Sequence, residues 1–111
     1  MKIDAEQHGQ VTVLTPRGPL IGSDVDQLQR QLAKTMAEGA GPIVLDASTV
    51  AFLDSHGLEV LVDTTEQLIR SGGALKLCGA NDIVREVLDL TDLAPLFEQF
   101  DDVDAAIENL Q

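Results

Sequence analysis

Apolar residues recur along this chain with two different spacings, which predict helices that alternate with short strands. Val25, Leu28, Leu32 and Met36 are separated by three or four residues, as on the buried face of an amphipathic helix. Residues 43–45 are continuously apolar, which is typical of a strand buried on both faces of a sheet. The whole pattern predicts the order strand, strand, helix, strand, helix, strand, helix, strand, helix.

The ends of these elements are predicted from residues that start or stop helices. Ser23, Ser55 and Asp101 are each expected to cap the N-terminus of a helix, because their side-chain oxygens can accept a backbone N–H of the first turn. Gly and Pro at residues 39–42, and Gly at 72–73, are expected to end the first two helices. The other predicted strands are residues 3–8, 11–15 and 74–78, and a short strand or extended piece begins at residues 96–97. The predicted second helix carries Leu58, Leu61, Val62, Thr65, Leu68 and Ile69; the third carries Ile83, Val84, Val87, Leu88 and Leu90; the last carries Val103, Ala106, Ile107 and Leu110. Strands separated by helices need crossover connections, so we predict an α/β fold with a mostly parallel or mixed sheet.

Length and composition predict one folded domain spanning residues 1–111. The chain has a mass of 11.9 kDa, with 44% hydrophobic and 23% charged residues, which is typical of a globular domain rather than a disordered tail. No apolar run is long enough to cross a membrane, and no secretory signal pattern opens the sequence. Cys78 is the sole cysteine and lies in an apolar run, so we expect a buried thiol and a cytoplasmic location.

The net charge of -12 limits the partners that the chain can bind. Direct contact with nucleic acid or an anionic membrane surface is not expected, because both need a positive field. Residues 82–111 hold nine acids and one base, Arg85. This acidic third is either a solvated face or a docking surface for a basic partner.

Few residue patterns point to catalysis. The chain lacks the G-x-G-x-x-G and G-x-x-x-x-G-K-[ST] phosphate-binding motifs, and neither His8 nor His56 has a metal-ligand spacing. Asp54, Ser55 and His56 are the residue types of a hydrolase triad, but consecutive side chains do not converge as triad members must. We therefore expect no enzyme activity, no metal and no cofactor, and an interaction module instead.

The segment from residue 43 to residue 58 carries the most specific pattern. An apolar strand ending in Val44-Leu45-Asp46 is followed by the apolar pair Phe52-Leu53 and then by Asp54-Ser55-His56-Gly57-Leu58. Local pattern alone explains Ser55 as a helix cap worth about 1 kcal/mol. Together with Arg17-Gly18-Pro19-Leu20 and the Gly-Gly turn at 72–73, however, this segment resembles the STAS domain of anti-sigma factor antagonists. That resemblance covers nearly the whole chain, and it implies a four- or five-stranded mixed sheet with about four helices packed mainly on one face.

The resemblance also implies a regulated interaction. The family's first serine in this motif, which corresponds to Ser55, is phosphorylated by an anti-sigma factor with serine kinase activity. The unphosphorylated antagonist binds that kinase and frees its sigma factor, and a serine phosphatase resets the cycle. The implied partner-binding surface consists of Ile21, Ser23, Asp54, Ser55, His56, Gly57 and Leu58.

Two positions differ from the family pattern and keep an alternative open. His56 stands where the family has a second hydroxyl residue, and Ile21 stands where it commonly has an acid. The alternative is a STAS scaffold that is not phosphorylated, or an accessory subunit of a signalling complex or of a lipid transporter. A small enzyme or ligand-binding domain would instead need a deep polar pocket. The sequence also leaves open whether the N-terminal strand pairs within the chain or across a homodimer.

Overall fold

The computed structural model describes residues 1–39 and 41–110, so Ala40, predicted to help end the first helix, and Gln111 lie outside the described residues. The elements follow the predicted order. They are β1 (Ile3–His8), β2 (Val11–Pro16), α1 (Gly22–Ala37), β3 (Ile43–Asp46), α2 (Ser55–Arg70), β4 (Leu75–Cys78), α3 (Asp82–Leu90), a 3-10 turn (Ala94–Leu96), β5 (Glu98–Phe100) and α4 (Val103–Asn109).

The five strands form one mixed sheet in the order β1-β2-β3-β4-β5. β1 pairs antiparallel with β2 of the same chain, with Ile3 opposite Pro16 and His8 opposite Val11. The remaining neighbours are parallel, because a helix separates each pair along the chain. The N-terminal strand therefore pairs within the chain.

The helices cover the two faces of the sheet unequally. One face packs Leu14, Leu45 and Leu77 against the three longer helices in the main core. The other face packs Val44 and Cys78 against Ala106 of the short helix α4. Successive residues of a strand face opposite layers, and both layers are covered here, so all six residues of β2 and the first three of β3 are buried. The predicted fold class, with helices mainly on one face, is confirmed.

The predicted helix caps are wrong at three positions, each by one or two residues. α1 begins at Gly22 with Ile21 as its N-cap, and Ser23 makes no capping hydrogen bond. α2 is capped by Asp54 rather than Ser55, and α4 by Asp102 rather than Asp101. Two adjacent residues of cap-forming type compete at the last two sites, and the carboxylate nearest the free N–H groups makes the bond.

The end of the sheet and the width of the helix faces also differ from the prediction. Residues 94–96 form a 3-10 turn containing Pro95, so β5 begins at Glu98 and not at Leu96. Ile69, Ile83 and Leu90 were expected on buried faces, but they are 57%, 56% and 76% exposed. These side chains lie at the edges of the apolar faces of their helices and are not covered by the sheet.

Candidate functional site

Ser55 lies at the edge of the sheet where the parallel strands end and three loops meet. The loop after β2 and the loop after β3 run side by side through a bridge between Leu20 and Leu53. Leu20 donates its N–H to the Phe52 carbonyl at 3.0 Å, and its own carbonyl accepts the N–H of Asp54 at 3.0 Å. The N-terminal ends of α1 and α2 are thereby held next to each other.

The carboxylate of Asp54 joins the starts of these two helices. One oxygen accepts the backbone N–H of Gly57 in α2 at 2.8 Å, and the other accepts the N–H of Gly22 in α1 at 3.0 Å. These N–H groups have no partner within their own helices, so one side chain satisfies donors from both. The bonds from Gly22 and Gly57 hold the pKa of Asp54 below its ordinary value.

Gly57 allows the close approach of α2 to the neighbouring loop. A Cβ atom at this position would lie 2.8 Å from the Leu20 carbonyl oxygen and 3.3 Å from the Leu53 Cβ. The first distance is too short for any side chain, so the backbone crossing requires glycine here. Gly57 is buried as a consequence.

Ser55 is the first residue of α2, and it is exposed. The residues around it are held by hydrogen bonds, because Asp54, directly before it, accepts the N–H of Gly57, two residues after it. The positive end of the α2 dipole lies at this hydroxyl. The residue is therefore open to solvent at the surface of the domain.

His56 connects the two helices at their surface. Its Nε2 atom lies 2.9 Å from the Asp26 carboxylate of α1, and its side chain is 41% exposed. The hydrogen bond to Asp26 raises the pKa of His56, and the charges of Asp54 and Glu59 act in the same direction. A positively charged imidazole beside Ser55 is therefore favoured by three carboxylates.

Asn81 attaches the loop after β3 to the start of α3. Its side-chain oxygen caps α3 by accepting the N–H of Val84 at 2.8 Å. Its side-chain nitrogen donates to the Ala51 carbonyl at 3.0 Å. Phe52 follows Ala51 directly and is 46% exposed, so a large apolar residue is open to solvent next to this contact.

The structure places the predicted site residues together, although not all of them at the surface. Ser23 and Ser55 are exposed, whereas Ile21, Asp54, His56 and Leu58 are half-buried and Leu58 packs on the main core. Sequence reasoning missed Asp26 and Asn81. An Asn directly before Asp82 at a helix start is a capping signal that could have revealed the second of these. No local sequence signal could have revealed Asp26, because its partner His56 is 30 residues away.

Other regions offer little chemistry. Among the described residues, no group of three His, Cys, Asp or Glu side chains could hold a metal ion, and no helix is long and apolar enough to cross a membrane. Cys78 is buried as predicted, and desolvation raises the pKa of its thiol to about 12. A surface depression of about 800 Å³ lies between the β1–β2 hairpin and the end of α1, away from Ser55.

The mixed five-stranded sheet, with an exposed serine at the start of its second helix, defines a small α/β domain. The chain matches the STAS domain over residues 2–106 and belongs to that family. It is 25% identical to the anti-sigma F factor antagonist of Paenibacillus polymyxa over 112 residues, which cover 100% of this chain and 96% of that protein. The fold superposes on the crystal structure of TM1081 from Thermotoga maritima with a TM-score of 0.91 and 26% identity, covering 96% of this chain and 92% of the other. The resemblance found in the sequence is thus confirmed.

The same fold occurs in the anti-sigma factor antagonist SpoIIAA. Its unphosphorylated form superposes with a TM-score of 0.84 at 19% identity, covering 98% of this chain and 96% of the other. The phosphorylated form of the Bacillus protein superposes with a TM-score of 0.78 at 20% identity, covering 99% and 100%. At these identities the comparison concerns the fold.

Proposed function

We propose that this protein is an anti-sigma factor antagonist that binds an anti-sigma factor serine kinase while Ser55 is unphosphorylated and is released when Ser55 is phosphorylated. A serine phosphatase would restore the binding form. The observation that carries the proposal is the exposure of Ser55 at the first residue of α2, next to the Asp54 cap. The antagonist from Paenibacillus polymyxa, which aligns along this whole chain, supports the choice of partner class.

The domain itself should tolerate a phosphate at Ser55. The group adds about -1.5 to -2 charges and lies at the N-terminal end of a 16-residue helix, where anions are favoured. Asp54 and Asp26 oppose it, whereas protonated His56 would attract it. Because Asp54 already binds Gly22 and Gly57, the helix starts stay joined with or without the phosphate.

A bound partner would not tolerate the phosphate. An interface that closes over a neutral hydroxyl leaves an added anion without water or counter-charge, which costs on the order of several kcal/mol. Phosphorylation thus changes binding through a local charge, with no need for refolding. Phe52, exposed nearby, supplies apolar area that such an interface can bury.

His56 and Ile21 would then shape the choice of partner. A kinase surface that expects a hydroxyl and an acid at these positions meets an imidazole and an alkyl chain. The Nε2 atom of His56 is already bonded to Asp26, so the partner meets the other edge of the ring, where the protonated form donates from Nδ1. We expect the partner kinase to carry an apolar contact for Ile21 in place of a basic one.

The test is a phosphorylation assay with the serine kinase encoded beside this protein's gene. The purified protein, Ser55→Ala and the matched control Ser48→Ala, an exposed serine on the preceding loop, are each incubated with kinase and ATP. We expect one phosphate, mapped to Ser55 by mass spectrometry, on the wild type and the control and none on Ser55→Ala. Affinity for the kinase should fall by more than about tenfold when the phosphorylated protein is used.

A different result would favour the alternative. A tight and permanent complex without labelling of Ser55 would indicate a scaffold or accessory subunit that uses the same surface. Labelling at another residue, with Ser55→Ala still modified, would contradict the proposed switch.

A further inference from the structure

Helix α3 carries more apolar surface than it buries. Val84 and Leu88 are buried in the main core, whereas Ile83 is 56% and Leu90 is 76% exposed, with Val87 half-buried between them. At 3.6 residues per turn, the side chains of Ile83, Val87 and Leu90 fall within about 60° of the helix circumference and span about 10 Å of its length. They form a continuous outward stripe, defined here as the α3 stripe.

An acidic row lies beside the α3 stripe. Asp82, Glu86 and Asp89 occupy the adjoining sector of the helix and are all exposed. Among the described residues, none of the three takes part in an ion pair within 4.0 Å. Arg85, the basic residue of α3, donates its Nε to the Ala80 carbonyl at 2.9 Å and forms no ion pair within 4.0 Å with these three acids.

A hydrogen bond ties the start of α3 to the loop that precedes Ser55. Asn81, the cap of α3, holds the Ala51 carbonyl, and the exposed ring of Phe52 follows. Three of the four exposed large hydrophobic residues in the described part of the chain therefore lie on α3 or on the loop tied to its start. The fourth, Ile69, lies on α2.

We propose that the α3 stripe and its acidic row form a docking surface for a basic amphipathic helix of a partner protein. Apolar side chains of that helix would pack on Ile83, Val87 and Leu90, and its Lys or Arg side chains would face the acidic row. A second copy of this chain fits this surface poorly, because it would place acidic residues against acidic residues and bring together two chains that each carry a net charge of -12. The surface does not include Ser55, so the inference holds whether or not Ser55 is phosphorylated.

The probe is an 18-residue synthetic helical peptide with a leucine stripe flanked by lysines. It is titrated into the ¹⁵N-labelled full chain while the amide resonances are followed. We expect shifts concentrated at residues 82–90 and 50–52, and an affinity that falls as salt is added. A peptide with glutamate in place of lysine, and one with the same composition but no stripe, should each bind at least about tenfold more weakly.

Variants of the protein separate this surface from general attraction to an acidic protein. Ile83→Gln and Leu90→Gln should each weaken binding by about tenfold, because each removes a large apolar contact. Ile69→Gln, which changes an equally exposed isoleucine on α2, should stay within about twofold. Replacing Asp82, Glu86 and Asp89 by their amides should weaken binding and flatten its salt dependence. Unchanged melting temperatures would show that the variants are folded.

Two results would overturn the inference. One is equal binding by Leu90→Gln and wild type, or resonance shifts centred outside α3 and its adjoining loop. The other is a dimer in sedimentation experiments that Leu90→Gln dissociates, because the stripe would then be covered by a second copy of this chain.

Discussion

Replacing Gly57 by alanine should destabilise this protein, although the same change stabilises most helices. Alanine is favoured over glycine inside a helix by about 1 kcal/mol. Here the new Cβ would meet the Leu20 carbonyl oxygen at 2.8 Å. That oxygen cannot simply turn away, because it accepts the N–H of Asp54 at 3.0 Å.

The size of the effect follows from these opposing contributions. Forcing an extra methyl group into a packed contact costs about 1–3 kcal/mol, and weakening one backbone hydrogen bond costs about 1 kcal/mol. Subtracting the gain in helix propensity leaves a net loss of about 1–3 kcal/mol. For a chain of this size, the melting temperature should fall by about 4–12 °C.

Thermal and urea unfolding, followed by circular dichroism, measure this loss. Gly73→Ala is the matched control, because its Cβ would lie 3.4 Å or more from its nearest neighbours in ordinary contact. The control should melt within a few degrees of wild type. If Gly57→Ala melts at or above the wild-type temperature, the close packing of α2 on Leu20 is not what requires glycine, and the reasoning fails.

Three further predictions concern titratable groups. Cys78, with its pKa raised to about 12, should react with thiol reagents only when urea unfolds the chain, and rapid labelling of the native protein would contradict its burial. Asp26 raises the pKa of His56 in the folded protein above its value in the unfolded chain. The hydrogen bond between them therefore stabilises the fold fully at pH values below the unfolded pKa, and this stabilisation disappears as the pH rises through the folded pKa. An NMR titration should show the pKa of His56 fall in Asp26→Asn, and an unchanged value would refute the contact. Asp54 has a lowered pKa, so its contribution is present above its unfolded pKa and is lost as pH falls through the folded pKa. Unfolding experiments across pH should therefore show Asp54→Ala less stable than wild type near pH 7, with the difference shrinking in acid.

Local periodicity was enough to predict the order of elements. The stripe from Val25 to Met36 and the apolar run at residues 43–45 both correspond to observed elements, because helix and strand periods act over a few residues. Boundaries were less predictable. The strand expected at Leu96 begins at Glu98, since Pro95 lies in a 3-10 turn.

How much of the apolar face of each helix is buried depends on what that helix packs against. Apolar spacing correctly identified Val84 and Leu88 as core residues, but it also included Ile83 and Leu90, which remain exposed. Spacing describes a helix alone, whereas burial depends on how far the sheet and the other helices extend beside it. The same excess of apolar residues marks the surface proposed for a partner.

The amino-acid sequence by itself determined an α/β fold with a mixed sheet, the position of Ser55 at the start of the second helix and the burial of Cys78, because these follow from residue types and spacings within single elements. The STAS family was identified by resemblance, through the motif at residues 43–58 and its neighbours. Only the tertiary structure decided that Asp54 joins α2 to Gly22, 32 residues away, and that His56 bonds Asp26, 30 residues away. The need for glycine at position 57 has the same origin, since its neighbour Leu20 belongs to a distant loop. Such contacts form because crossover connections bring the ends of distant strands together. A pattern that spans a few residues cannot predict which distant residues will meet.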